Sequence, residues 1–168
     1  MFKKELINRM KDYFGNDQRR IDHALQVTDY AERLIDLYQG ADINSEVIIY
    51  SAILHDIGIH QAEKKYNSVA GKYQELEGPP IAKEILMDFN IDQEIIDEVC
   101  QIIGHHHSPR AIKTNNFQLL YDADWLVNLP DEYDLKNSNK PLTELIDKLY
   151  LSDVGKDLAK KLFIKSSS

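Results

Sequence analysis

The sequence predicts an all-α protein that folds as a helical bundle. In most segments apolar residues recur every three or four positions, which is the spacing of one helix face. The alternation of apolar and polar residues that is typical of half-buried strands is hard to find in the chain. A length of 168 residues with 43% hydrophobic content is enough for one core. We therefore expect residues 1–168 to form a single domain.

Local signals divide the chain into nine predicted helices. Asn44 or Ser45 is typical of a helix start, and Gly58 is typical of a helix end. Pro79 and Pro80 suit the first turn of a helix, where the backbone N–H has no helical partner. The predicted helices are 2–14, 19–38, 45–57, 68–76, 79–89, 93–107, 116–128, 141–150 and 153–164, and the polar segments 59–67 and 129–140 are predicted loops.

Composition limits the partners and the compartment. The net charge of −8 and an isoelectric point near 5.2 argue against binding of polymeric nucleic acid, which favours a basic face. Cys100 is the one cysteine, which excludes an internal disulfide and a thiolate-rich metal site. No segment has the apolar length of a signal peptide core or a membrane span. We expect a cytoplasmic protein without a membrane partner.

The segment SAILHDIGIH, residues 51–60, places an ionisable pair at the end of the most apolar predicted helix. The backbone dipole is negative at this end, so a carboxylate at Asp56 is unfavourable there and costly to bury alone. A bound metal ion would relieve both problems. The alternative is a solvated Asp56 beside a His55 that caps backbone carbonyls.

Polar residues also interrupt apolar stripes elsewhere. His23 shares a helix face with Val27, and Asp124 shares one with Leu120. A single histidine on such a face is more often a hydrogen-bonded core residue than a ligand. Asp122 lies off the stripe of Asp124, so we expect it to be solvated.

The histidine tract at 105–107 ends the predicted helix 93–107. Periodicity places His106 and His107 on apolar stripes and His105 at their edge, so His105 is expected to be the most exposed. The alternatives are a solvated tract favoured by the helix dipole and a weak adventitious metal site. Four predicted helices thus each direct an imidazole or carboxylate inward. This set suits manganese, iron, cobalt, nickel or zinc alike. Its members are His23, His55, Asp56, His106 and Asp124.

These residues resemble the signature of the HD superfamily of metal-dependent phosphohydrolases, which has a distant histidine, an adjacent His-Asp pair and a later aspartate. The resemblance runs from about residue 19 to about residue 128 and includes HDIG at 55–58 and DADWL at 122–126. It implies an HD-domain helical bundle with a metal site in a central cleft, on which the C-terminal helices at 141–164 pack.

The resemblance also implies site residues. The four signature positions would hold one metal ion, and Asp56 would act in catalysis by bridging to a second ion or by orienting water. Glu77 occupies a position that many relatives fill with histidine. A carboxylate there can still bind a hard or borderline cation, so one or two divalent ions are expected, with a metal preference that Glu77 would alter. The alternative for Glu77 is a charge that the dipole of the next helix stabilises. The implied metal ligands are His23, His55, Asp56, Asp124, Glu77, His106 and His107.

The implied activity is hydrolysis of a nucleotide or another small phosphoester by metal-activated water. Two alternatives belong to other classes: a di-iron oxygenase, or a non-catalytic module that binds a nucleotide for regulation. The Gly-Tyr-Pro signature of cyclic dinucleotide phosphodiesterases is absent from HHHSPRAIK. Four cations could contact a substrate phosphate or could simply be solvated: Lys64, Lys65, Arg110 and Lys113.

Overall fold

The computed structural model describes residues 1–136 and 139–164. Over these residues it contains nine helices and no strand, which confirms the predicted all-α class. The helices are α1 Lys3–Phe14, α2 Gln18–Leu37, α3 Ser45–Leu54, α4 Ile59–Tyr66, α5 Gly71–Met87, α6 Gln93–Ile103, α7 Asn115–Glu132, α8 Asn139–Leu149 and α9 Asp153–Phe163.

Helix α3 is the centre of the bundle. All of its residues from Val47 to Leu54 are buried, because α1, α2, α6 and α7 pack around it. This explains why the helix is apolar on every side rather than on one stripe. The side chain of Asn44 caps its first turn by accepting from the amides of Glu46 and Val47, as the sequence predicts.

The predicted loop at 59–67 is wrong, because this segment forms α4. Its composition is polar, yet Ile59 and Ala62 lie three residues apart and are buried on one face. Two small anchors are enough to hold a short helix against α5. Asn67 ends it in the left-handed conformation, at φ 50°.

The predicted break between helices 68–76 and 79–89 is also wrong. Helix α5 continues through Pro79 and Pro80, although each proline removes one helical hydrogen bond. Packing of α5 against both α4 and α6 compensates for this loss. Gly78 permits the close approach, since a Cβ added there would lie 2.8 Å from a methyl group of Ile103.

Two helices that carry the site end earlier than predicted. Helix α3 stops at Leu54 and α6 stops at Ile103, so the His-Asp pair and the histidine tract lie in the turns that follow. Gly58 accordingly does not end α3 but precedes α4. The side chains of these two segments are therefore presented at helix ends rather than along helix faces.

The C-terminal helices are held to α7 by Asp122. This carboxylate is fully buried, so the prediction that it is solvated is wrong. It accepts hydrogen bonds from the amides of Leu151 and Ser152, at 2.8 Å each, and from the Ser152 hydroxyl at 2.5 Å. These bonds fix the link between α8 and α9.

The predicted loop at 129–140 is shorter than expected, since α7 extends to Glu132 and α8 begins at Asn139. Residues 137 and 138 of that prediction lie outside the described residues. None of the helices in the described ranges is long and apolar enough to cross a membrane.

Candidate metal centre

Four elements converge at the C-terminal end of α3. Helix α2 contributes His23, and α7 contributes Asp124. The turn after α3 contributes His55 and Asp56, while the turn after α6 contributes His106. The sequence predicted this convergence, and the structure brings all five side chains together.

The first group of potential ligands lies between α2, α3 and α7. The Nε2 atom of His23 lies 3.2 Å from Nε2 of His55 and 3.0 Å from Oδ1 of Asp124. The Oδ2 atom of Asp56 lies 3.5 Å from His23 Nε2 and 3.4 Å from His55 Nε2. His23, His55 and Asp56 offer atoms that all lie within 4.8 Å of one another, and these could hold one metal ion.

A second group lies on the other side of Asp56. Asp56, His106 and His107 also offer atoms within 4.8 Å of one another. The Oδ1 atom of Asp56 lies 3.4 Å from Nε2 of His106, whereas its Oδ2 atom faces the first group. One carboxylate is therefore shared by both groups, with one oxygen directed to each.

Backbone carbonyls orient two of the imidazoles. Nδ1 of His55 donates to the carbonyl of Ala52 at 2.8 Å, and Nδ1 of His106 donates to the carbonyl of Ile103 at 2.7 Å. Because a carbonyl can only accept, Nδ1 must carry the proton in both rings. Nε2 of each ring is then directed into the site, where it can bind a metal ion in place of any proton that it carries.

The donor atoms fit a metal ion. Among the described residues, the buried side-chain atoms without a hydrogen-bond partner are Nε2 of His106 and the hydroxyl oxygen of Ser51. Buried polar atoms are nearly always paired, so an unpaired imidazole nitrogen that faces a carboxylate needs a partner. A divalent cation satisfies this nitrogen and the charge of Asp56 together.

The imidazoles and carboxylates of the site shift one another's pKa values toward the charged forms. Burial alone would lower the pKa of His55, but the carboxylates of Asp56 and Asp124 outweigh it and raise that pKa well above its usual value. Burial would raise the pKa of Asp56, but His55 and His106 hold it well below its usual value. The pKa of Asp124 is also lowered, chiefly by His55 and His23 against the opposing effect of burial. Both carboxylates are thus ionised at neutral pH.

Comparisons with known proteins identify the family of the chain. The family model for the HD domain matches residues 20–129. The chain belongs to the HD-domain family. An uncharacterized protein from Clostridium beijerinckii is 37% identical over 114 residues, which cover 67% of this chain and 66% of that protein. The chain thus matches slightly less than two thirds of this relative's length.

A solved structure shares the fold of this HD-domain protein. It is the crystal structure of a predicted HD superfamily hydrolase from an uncultured Thermotogales bacterium. The TM-score is 0.68, the sequence identity is 19%, and the match covers 95% of this chain and 84% of that chain. At this identity the comparison establishes the helical architecture, in agreement with the predicted HD-domain bundle.

The histidine tract differs from its prediction. His107 is the most exposed of the three histidines and His105 is only partly exposed, so the predicted order is wrong. The helical periodicity used for the prediction does not apply, because α6 has ended before the tract begins. His105 instead donates from Nδ1 to the carbonyl of Gln101 at 2.8 Å.

Glu77 lies within α5 and is 8% exposed. Its carboxylate accepts from the ammonium of Lys65, at 3.1 Å to each oxygen, and from the hydroxyl of Tyr66 at 2.9 Å. Among the described residues it belongs to neither group of potential metal ligands. Its role as a ligand stays a prediction.

Gln74 is a site residue that the sequence analysis missed. Its Oε1 atom accepts from Nε2 of His107 at 3.1 Å, and its Nε2 atom donates to the carbonyl of Val69 at 2.7 Å. With Nε2 of His107 protonated, Nδ1 of that ring keeps the lone pair. Gly71 adjoins the same ring, since a Cβ there would lie 2.8 Å from Cγ of His107. Helical periodicity could not identify Gln74, because it is a polar residue in a segment whose helix was predicted to break before Pro79.

An open cavity of about 640 Å³ leads to the metal centre. This is within the usual size range of small-molecule sites, which is about 300–1,000 Å³. The potential ligands His23, Asp56, His107 and Asp124 line it, and most of its other lining residues come from α2 and α7. The other lining residues are Arg19, Arg20, Asp22, Gln26, Ile59, Val69, Gln74, Val127, Asn128 and Asp131.

Proposed function

We propose that this HD-domain protein is a metal-dependent phosphohydrolase that hydrolyses a nucleotide or another small phosphoester. The observation that carries the proposal is the pair of ligand groups that share Asp56 in an open cavity. Phosphoryl transfer is suited to paired cations, which neutralise charge on the transferred group from two sides. The name of the Thermotogales neighbour, a predicted hydrolase, supports the reaction class.

The residues of the metal centre have separate tasks in this proposal. His23, His55, Asp56 and Asp124 would hold one divalent ion, and Asp56, His106 and His107 would hold a second. When bound, such ions lower the pKa of a coordinated water and neutralise the phosphoryl oxygens. Manganese, iron, cobalt, nickel and zinc all suit imidazole and carboxylate donors.

Asp56 is the catalytic residue of the proposal. Its low pKa keeps the carboxylate ionised at neutral pH, so it accepts hydrogen bonds and does not act as the acid. Its two oxygens face opposite ligand groups, and a water bound between those groups would donate a hydrogen bond to it. Asp56 would thereby orient the lone pair of that water toward phosphorus.

A direct test is phosphate release by protein stripped with a chelator and resupplied with manganese, iron, cobalt, nickel, magnesium or zinc. The substrates are p-nitrophenyl phosphate, bis(p-nitrophenyl) phosphate and a panel of nucleotides. We expect turnover with at least one metal and its loss in Asp56→Asn, while His105→Ala retains it. Absence of phosphate release from every substrate, by folded protein with confirmed bound metal, would contradict the proposal. Oxygen consumption by the iron-loaded protein would then favour an oxygenase.

A further inference from the structure

The walls of the cavity carry information about the substrate beyond the reaction class. The lining includes two cationic side chains, Arg19 and Arg20, both from the first turn of α2. The four cations that the sequence analysis considered do not line it. Lys65 is instead paired with Glu77. Recognition of a substrate phosphate outside the metal centre therefore depends on α2.

The two arginines are not equivalent. The guanidinium of Arg20 is paired with Asp17 at 2.7 Å and with Glu63 at 3.0 Å, so its charge is already neutralised. Arg19 is exposed, and no ion pair joins it to any other residue in the described ranges 1–136 and 139–164. It lies four residues before His23, so both side chains lie on one face of α2. Arg19 is thus the cation available to a ligand on the metal centre.

The other polar groups that line the cavity favour a substrate whose non-phosphate part is uncharged. Asp22 on α2 and Asp131 on α7 are exposed carboxylates that line the cavity. Gln26 adds an amide group to the lining, and Asn128, whose Nδ2 donates to Asp124 at 2.9 Å, adds an amide oxygen. Carboxylates and amides bind hydroxyl groups well, but two carboxylates repel a second or third phosphate of the same ligand.

Resting on the proposed function, we propose that the substrate is a monophosphate ester of a neutral, hydroxyl-bearing alcohol such as a nucleoside or a sugar. Arg19 binds the phosphate, and Asp22 and Asp131 exclude polyphosphates. In the reaction the water oxygen forms a bond to phosphorus and the ester P–O bond breaks. The alcohol oxygen takes up the proton that the water loses. The products are inorganic phosphate and the free alcohol.

The first test uses the full-length, metal-loaded protein with AMP, ADP, ATP, ribose 5-phosphate and bis(p-nitrophenyl) phosphate. We expect the monophosphates to have the highest kcat/KM. Arg19→Ala should raise KM for AMP by about tenfold while kcat changes little, because a charge-assisted hydrogen bond to the ground-state phosphate is lost. Arg19→Lys should recover part of the loss. Arg110→Ala is the matched control, since Arg110 is exposed and does not line the cavity.

A second readout is independent of turnover. Inorganic phosphate should bind metal-loaded Arg19→Ala about tenfold more weakly than wild type in calorimetric titration, with unchanged metal content. The double variant Asp22→Asn/Asp131→Asn should raise kcat/KM for ATP relative to AMP by roughly fivefold at low salt. These shifts would support the assignment of the walls.

The outcomes separate the two proposals. Turnover of phosphoesters with a preference for ATP or for the diester would overturn the monoester assignment alone. Unchanged phosphate affinity and KM in Arg19→Ala would do the same. Absence of turnover with every ester, from folded protein with confirmed bound metal, would overturn the proposed function and the monoester assignment with it.

Discussion

The two sides of Asp56 are built differently. On the α2–α7 side, the less buried imidazole is that of His23, which stands on the long helix α2 with a side chain that is 21% exposed. On the α5–α6 side, His107 is exposed and is held by Gln74, which also bonds to the loop carbonyl of Val69. Each group also has one fully buried imidazole that a backbone carbonyl fixes, so the groups differ in their second imidazole. A long helix holds that imidazole on the first side, whereas a turn and a loop hold it on the other. We therefore expect a tight first metal site and a weaker second one.

The largest effect should come from the residue that the two sides share. Asp56→Ala removes an oxygen from each group, so we expect loss of both bound ions and a fall in turnover of about 1,000-fold or more. Metal analysis of the dialysed protein, together with initial rates, measures both effects.

His105→Ala is the control for this variant. Its ring bonds to the backbone of its own helix end and belongs to neither ligand group among the described residues. We expect its metal content and its rate to stay close to those of wild type. Equal losses in the two variants would mean that His105 supports the site as strongly as Asp56 does, which contradicts its place outside both ligand groups.

Alanine variants of His23 and His107 test whether the first metal site binds more tightly than the second. His23→Ala should abolish the tight phase of a metal titration, while His107→Ala should abolish only the weak phase. Both rings reach the cavity, so truncation should spare the fold. Circular dichroism checks this directly. A weak phase that persists in His107→Ala and is lost in His23→Ala would reverse the comparison.

Gln74→Leu should produce a smaller change on the weaker side. The leucine keeps the approximate volume of the side chain but removes both the acceptor for His107 and the donor to Val69. Loss of a hydrogen-bond partner behind a ligand typically costs about 10- to 100-fold in metal affinity. We expect this loss in the weak phase of the titration alone. A change confined to the tight phase would contradict the role of Gln74.

The smallest effect concerns the start of α2, which carries Arg19, Arg20 and His23. A hydrogen bond from His60, aided by Arg20, lowers the pKa of Asp17 to about 2. The folded-state pKa lies below the unfolded value of 3.8, so the stabilisation is present above about pH 4. It is lost as the pH falls through about 2.

Urea unfolding midpoints between pH 2 and pH 5 measure this dependence. Wild type should lose stability on acidification more steeply than Asp17→Asn, which keeps a good N-cap residue but cannot ionise. Parallel profiles for the two proteins would show that Asp17 does not support this end of α2.

The difference between residues on helices and residues in turns explains which parts of the site the sequence could predict. Residues on long helices, such as His23 and Asp124, could be identified from the sequence because each interrupts an apolar stripe at helical spacing. His106 was predicted to face inward for the wrong reason. The structure buries it in the turn after α6, where Gly104 and a backbone bond to Ile103 set its direction. Helical periodicity does not predict the direction of a side chain where the helix ends one turn earlier than expected.

Tertiary packing accounts for the other errors. Helix α5 passes through Pro79 because its neighbours cover it on two sides, which no local signal reports. Gln74 reaches His107 across a sequence separation of 33 residues, so its contact depends on the path of that unbroken helix. Asp122 is buried by the link between α8 and α9, whose position the stripe of α7 does not encode.

The most direct test of the account is a crystal structure of the protein soaked with Mn²⁺, with anomalous difference maps locating the ions. The account predicts two peaks on opposite sides of Asp56. The stronger peak should contact His23, His55 and Asp124, and the weaker one should contact His106 and His107. Peaks elsewhere, or full occupancy confined to the His106–His107 side, would contradict the claim that one shared carboxylate joins a tight site to a weaker one.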